Sequence, residues 1–155
     1  MAPDRASSRG RGLFCGRRAL ELKGNMEMLV RVALVGLGGA LGAVARYLLG
    51  LWIATHASPD FPWSTFLVNI SGSFLIGVFL GLASAGQLSN EARLFLAVGV
   101  LGGYTTFSTF SYESFELLAD GSMRAFLLNT LGQLSCGLIA VYFGLVVSRL
   151  LGGAQ

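Results

Sequence analysis

The chain has 155 residues, a mean hydropathy of +0.67 and a net charge of +3, and only 12% of its side chains are charged, against about 25% in soluble domains. Such a composition excludes a soluble globular domain and fixes an integral membrane protein. The two cysteines, Cys15 in the N-terminal tail and Cys136 in the last apolar stretch, indicate neither a disulfide framework nor a cysteine metal site.

Apolar stretches near 28–53, 64–85, 92–119 and 123–150 each reach the roughly 20 residues that a spanning helix needs. The expected fold is all-α, with four transmembrane helices in residues 26–155 and no room for a second domain. So small a bundle encloses little interior, and a polar pathway through it would lie between subunits.

Residues 1–25 carry six basic side chains (Arg5, Arg9, Arg11, Arg17, Arg18, Lys23) against Asp4 and Glu21, a net of +4. Without an apolar core and a small-residue cleavage site, the segment reads as a disordered basic arm rather than a signal peptide. Met26 and Met28 stand just before the first span, so translation from either would omit the arm. With the arm, the positive bias toward one side is strong. Without it, Arg31, Arg93 and Arg149 face only Arg124 and Arg46, a slight bias that permits insertion both ways.

The first helix carries Gly38, Gly42, Arg46 and Gly50 at fourfold spacing, a small-residue seam that ends in a cation. Arg46 either snorkels to the interface or attracts anions to a vestibule. The following loop, Thr55 to Trp63, is turn-rich, and its lone His56 carries no catalytic or metal signal. In the second helix Asn69, Ser73, Gly77 and Gly81 share a stripe; the Asn69 amide is either interhelical glue or an anion donor. Ser89 or Asn90 can cap the third helix, which opens with Glu91 in its first turn.

Ten residues on, the third helix meets Gly102-Gly103-Tyr104-Thr105-Thr106-Phe107-Ser108-Thr109-Phe110-Ser111-Tyr112-Glu113. Adjacent glycines and two β-branched threonines predict a break near mid-membrane, at Gly102 and Gly103. Freed backbone groups are tolerated in hydrocarbon only where they are buried in protein or line a wet cavity, so the break marks a site. Carbonyls there suit a hard cation; amides, hydroxyls and phenylalanine ring edges suit an anion. The competing reading is a glycine packing seam whose hydroxyls bond back to their own helix. Phe107, Phe110 and Glu113 recur every third residue and face nearly one way. In the fourth helix, after the Asp120-Gly121-Ser122 turn, Asn129, Gln133 and Gly137 form one polar stripe beside a small-residue stripe.

Gly38-Gly39-Ala40-Leu41-Gly42-Ala43-Val44-Ala45-Arg46-Tyr47, then Asn69 with Gly72-Ser73-Phe74, and above all Gly102 to Phe110, together resemble the small fluoride channels of the CrcB/Fluc family over about residues 28–150. The resemblance implies an antiparallel, dual-topology homodimer in the cell membrane, with two fluoride pores and one structural, untransported sodium ion between the subunits. It implies sodium on the carbonyls of Gly102 and Thr105, fluoride at the ring edges of Phe107 and Phe110 and at the Asn69 amide, and Arg46 and Glu113 near the pore mouths. Ser108 and Thr109 join the lining, and Asn129 and Gln133 are candidates by their stripe. Where the family commonly reads Pro-x-Gly-Thr before the second helix, this chain has Pro62-Trp63-Ser64-Thr65.

Function then reads as passive fluoride export that protects against fluoride toxicity. The alternative is a small dimeric proton-coupled multidrug or cation exporter, which needs a carboxyl at membrane depth; Glu113 is the one candidate, nearer the interface than the midplane. A mere assembly subunit would explain the glycine stripes but not Asn69, the phenylalanine pair and the break together. Lacking a nucleophile paired with a base, or a metal cluster, the sequence gives no support to an enzyme, and none to a nucleic-acid partner.

Overall fold

A computed structural model of the chain describes the backbone of residues 6–153 and the side chains of residues 22–153. The first five residues of the basic arm, with Asp4 and Arg5, lie outside the described residues. The chain divides into two units, Met1–Ala33 and Leu34–Gln155. In the first, residues 6–25, expected to lack regular structure, have helical backbone that runs on into the first span. Arg17 to Lys23 holds only Arg, Ala, Leu, Glu and Lys, all strong helix formers, which explains the difference.

Four stretches are long and apolar enough to cross a membrane: Leu22–Ala54, Trp63–Ser84, Asn90–Ala119 and Met123–Gly152. The first belongs to helix α1 (Ala6–Ala54) and the second is α2 (Trp63–Ser84). The third is composite: α3 (Asn90–Arg93), a wide π-helical stretch over Leu94–Val100, α4 (Leu101–Tyr104) and, after two non-helical residues, α5 (Phe107–Ala119). The fourth joins α6 (Met123–Leu127) to α7 (Gln133–Gly152) through a π-helical turn at Leu128–Gly132. All regular structure among the described residues is helical, and the chain is a multi-pass membrane protein.

Local chemistry sets the ends of these elements. The second and third spans stop at Gly86 and Gly121, whose φ of +72° and +73° suits glycine, with Gln87 N–H returning to the Leu82 carbonyl and Ser122 N–H to the Leu117 carbonyl. Ser89 caps α3 by accepting from the Ala92 amide at 3.1 Å. Before α2, Pro62 offers no side-chain cap, but its carbonyl accepts from Phe66 N–H at 3.1 Å, and the Phe61, Trp63 and Phe66 rings cluster with centroids 4.7 to 6.1 Å apart. The departure from the family's pattern therefore leaves the helix start intact.

Within Leu34–Gln155, two glycine seams bring backbones together. On the first-to-third seam a Cβ at Gly42 would run into the Val100 carbonyl oxygen, and one at Gly103 into the Gly39 carbonyl oxygen. On the second-to-fourth seam a Cβ at Gly144 would meet the Phe74 carbonyl oxygen, and one at Gly77 that of Val141. Without a hydrophobic drive between helices in lipid, such close packing is what holds the spans. Leucine, valine and aromatic side chains clothe the exterior, while the buried set includes Asn129, Gln133, Thr65 and Ser114 beside Val68 and Leu101. The interior is as polar as it is apolar.

Candidate functional site

The third span breaks at Thr105 and Thr106, both extended (φ −76°, ψ 157° and φ −146°, ψ 116°), and not at the glycine pair. Gly102 and Gly103 are helical residues of α4. The reason is steric: Gly103 is needed for the approach to Gly39, and the chain turns only once that seam is passed. Opposite the break, Gly72 leaves room for the Thr105 methyl, which a Cβ at position 72 would strike.

Three backbone groups at the break find side-chain partners. In an unbroken helix Thr106 N–H would return to the Gly102 carbonyl. Here it donates to Asn69 Oδ1 at 2.8 Å, while Asn69 Nδ2 donates to the Thr106 carbonyl at 3.0 Å. Thr106 also caps α5: its hydroxyl oxygen accepts from Thr109 N–H at 3.4 Å, the amide that would otherwise return to Thr105. The carbonyls of Gly102 and Thr105, read from the sequence as cation ligands, thus both lose their helical partners.

From Asn69 a chain of amides runs through the bundle. Asn69 Nδ2 also donates to Gln133 Oε1, Gln133 Nε2 to Asn129 Oδ1 at 3.0 Å, and Asn129 Nδ2 to Ser114 Oγ at 2.9 Å. Ser114 closes the chain by donating to the Phe110 carbonyl at 2.7 Å. Asn129 is wholly buried, at 0% exposure. It therefore stands behind Gln133 rather than lining a path, contrary to the polar stripe read from the sequence.

The remaining candidates fall into two grooves, with Thr106 bordering both. One, of about 440 Å³, lies among the second, third and fourth spans and is bordered by Asn69, Gly102, Thr105, Phe107, Phe110 and Gln133. Phe107 is 78% exposed, and its ring centroid lies 5.8 Å from that of Phe110, with planes inclined by 45°. The other groove, among the first three spans, gathers Arg46, Ser108, Thr109 and Glu113. The sequence treats these as one lining and turns Glu113 the same way as Phe107 and Phe110; the structure sorts them onto two faces of α5, with Glu113 beside Thr109, because each three-residue step falls about 60° short of a full turn and two steps carry Glu113 about 120° away from Phe107.

In the second groove Thr65, 4% exposed, donates to Glu113 Oε1 at 2.8 Å, while Glu113 Oε2 is buried with no hydrogen-bond partner among the described residues. Sequence reasoning missed Thr65, Thr106 and Ser114 as members of the site. Only the placement of Thr65 one turn before Asn69 on one helix, with Thr106 inside the break motif, could have drawn attention to two of them. No three His, Cys, Asp or Glu side chains converge among the described residues, so a cation here would rest on backbone oxygens.

Residues 33–145 match the family described as CrcB-like protein, Camphor Resistance (CrcB). Among curated relatives, a protein of Thermus thermophilus named fluoride-specific ion channel FluC is 54% identical over 114 residues, covering 74% of this chain and 90% of its own length. Proteins of the same name from Rhizobium meliloti and Clostridium perfringens are 48% and 39% identical, over 76% and 81% of this chain and 95% and 99% of theirs.

Proposed function

The chain belongs to the CrcB-like family, and from that premise we propose that it is a fluoride-specific ion channel, a transport protein rather than an enzyme. One observation carries the reading: the Phe107 and Phe110 rings stand at a helix break, in a groove whose polar lining consists of amides and hydroxyls and no fixed cation. Ring edges and neutral donors can replace the water around a small anion without trapping it as a fixed charge would. Arg46 stands apart, in the neighbouring groove, where it can raise the local anion concentration.

The finer assembly is part of the same proposal. A groove of about 440 Å³ has room for roughly a dozen waters, too wide to strip a halide of its hydration. A second copy of the chain supplies the missing wall. The slight charge bias of the segment after residue 25 suits an antiparallel pair in the cell membrane, surrounded by lipid. In such a pair the Gly102 and Thr105 carbonyls of both chains would hold one structural sodium ion on the two-fold axis. Flow is passive and carries fluoride out of the cytoplasm, which protects the cell from its toxicity.

The test is ion efflux from liposomes holding the purified protein, comparing fluoride, chloride and a cationic substrate of proton-coupled exporters. Fluoride-selective efflux that ignores a proton gradient is expected. Cation efflux driven by protons, with no fluoride flux, would overturn the reading in favour of an exporter built on Glu113.

A further inference from the structure

We infer that Asn69, Gln133, Asn129 and Ser114 form one directional brace around the turn that carries Phe107 and Phe110, and that Asn69 is a positioning residue while the amide hydrogen left for an anion belongs to Gln133. The inference deepens the channel reading and rests on it for the identity of the anion.

Its direction follows from the two ends. A carboxamide can turn end for end, but a peptide group cannot. At Thr106 the backbone N–H requires an acceptor and the carbonyl a donor, so Asn69 must place Oδ1 on the first and Nδ2 on the second. The other Nδ2 hydrogen then requires an acceptor from Gln133, which turns Gln133 Nε2 toward Asn129 and requires Oδ1 there. Asn129 is left to donate to Ser114 Oγ, and the Ser114 hydroxyl to the Phe110 carbonyl. The chain thus begins on the backbone of Thr106 and ends on that of Phe110, one helical turn later.

Hydrogen accounting gives the assignment. Both Asn69 Nδ2 hydrogens are engaged, by the Thr106 carbonyl and by Gln133. Gln133 Nε2 gives one hydrogen to Asn129, and its second meets no acceptor among the described residues, while the side chain borders the groove beside both phenylalanines. Asn129 touches neither groove, yet it supplies the acceptor that holds the amino end of Gln133, whose oxygen end is set by Asn69. A buried hydrogen-bond chain of this kind, complete but for that one hydrogen, rigidifies what it surrounds.

The experiment uses the full chain in lipid nanodiscs. Asn129→Leu should cut fluoride flux about tenfold or more with the protein still folded, because the amino end of Gln133 then loses its acceptor and Ser114 its donor, and the brace slackens. Asn129→Asp, whose protonated acid keeps an acceptor for Gln133 and a donor for Ser114, should bring flux back to within about threefold of wild type. Wild-type flux in Asn129→Leu, or no rescue by Asp, would overturn the brace. Should the leucine variant fail to fold, NMR of side-chain amides in the wild-type protein decides. Without fluoride, both Asn69 Nδ2 hydrogens should exchange slowly with water, and fast exchange would overturn the brace. With fluoride, dipolar transfer from bound 19F should reach Gln133 Nε2 hydrogens and not those of Asn69; transfer to Asn69 would overturn the assignment. No bound 19F signal at all would count against the channel reading, leaving the brace to stand or fall on exchange alone.

Discussion

The clash introduced by Gly42→Ala should cost about 2–3 kcal/mol, the upper range for overpacking a tight site. The added methyl would run into the Val100 carbonyl oxygen and would sit 2.8 Å from the Tyr104 nitrogen and 2.9 Å from the Val100 carbonyl carbon. All three are backbone atoms of the third span, so no side chain can swing away. Reaching the ordinary contact distance of 3.4 Å from Tyr104 alone requires the helices to part by about 0.6 Å, and the Val100 oxygen requires more. A gap of that size forfeits roughly a quarter to a half of each dispersion contact along the seam. Against this, alanine gains about 1 kcal/mol in helix propensity over glycine. Gly36→Ala provides the control, since a Cβ there meets nothing within 4 Å in the chain. It keeps the propensity gain without the clash. Thermal unfolding of both variants in one detergent gives the difference, and fluoride flux should fall in Gly42→Ala because Arg46, one turn on, moves relative to Glu113. If Gly42→Ala unfolds no earlier than Gly36→Ala, the seam is looser than described and the steric reasoning fails.

Phe107→Ile and Phe110→Ile should each lower fluoride flux about tenfold without unfolding the protein, because isoleucine keeps apolar bulk but removes a ring edge worth about a kcal/mol; wild-type flux in both would remove the rings from the pathway. Thr65→Val deletes the hydroxyl that holds Glu113 and should cost about 1–3 kcal/mol in thermal unfolding, while Thr65→Ser should stay close to wild type. Equal stability of the two would mean that the Thr65–Glu113 bond contributes nothing. Replacing a bulky organic cation by sodium at fixed ionic strength should raise stability by about 1–3 kcal/mol and increase flux. Thr105→Ser should keep that response, and Gly102→Val should lose it through its backbone. Absence of any sodium response in melting and flux would dispose of the central cation.

The four spans were legible because apolar length is an average over some 20 residues, and stretches such as 64–85 and 92–119 coincide with α2 and the third span to within a residue or two. The turn at Gly121 and the Ser89 cap were legible because their signals are local. The break was foreseen, but three residues early. Glycine signals both weak helix and close approach, and at Gly103 the second meaning prevails, a fact that depends on Gly39, 64 positions away in the sequence. Asn129 shows the same limit from the other side. Fourfold spacing puts it in line with Gln133, yet only the fold decides that one borders a groove and the other is sealed behind it. The Thr65–Glu113 bond joins residues 48 apart and leaves no periodic trace. Nor does any residue type announce the π-helical stretches.

The π-helical stretch at Leu94–Val100 makes the number of residues between the third span's cap and its break a fixed quantity. Its wide turns hold more chain per turn than an α-helix does. That slack is already taken up, so one further residue in the third span would turn the helix by about 100°. Everything before such an insertion would then be out of phase with everything after it. Gly99, packed on Gly38, and Gly103, packed on Gly39, could not both keep their partners. The short link around Gly86 can absorb an insertion at the cost of little more than the exposed bond from Gln87 Nε2 to the Gly152 carbonyl. Length variation among descendants of this chain should therefore collect in the links and be purged from Leu94–Val100, however apolar and featureless that stretch looks.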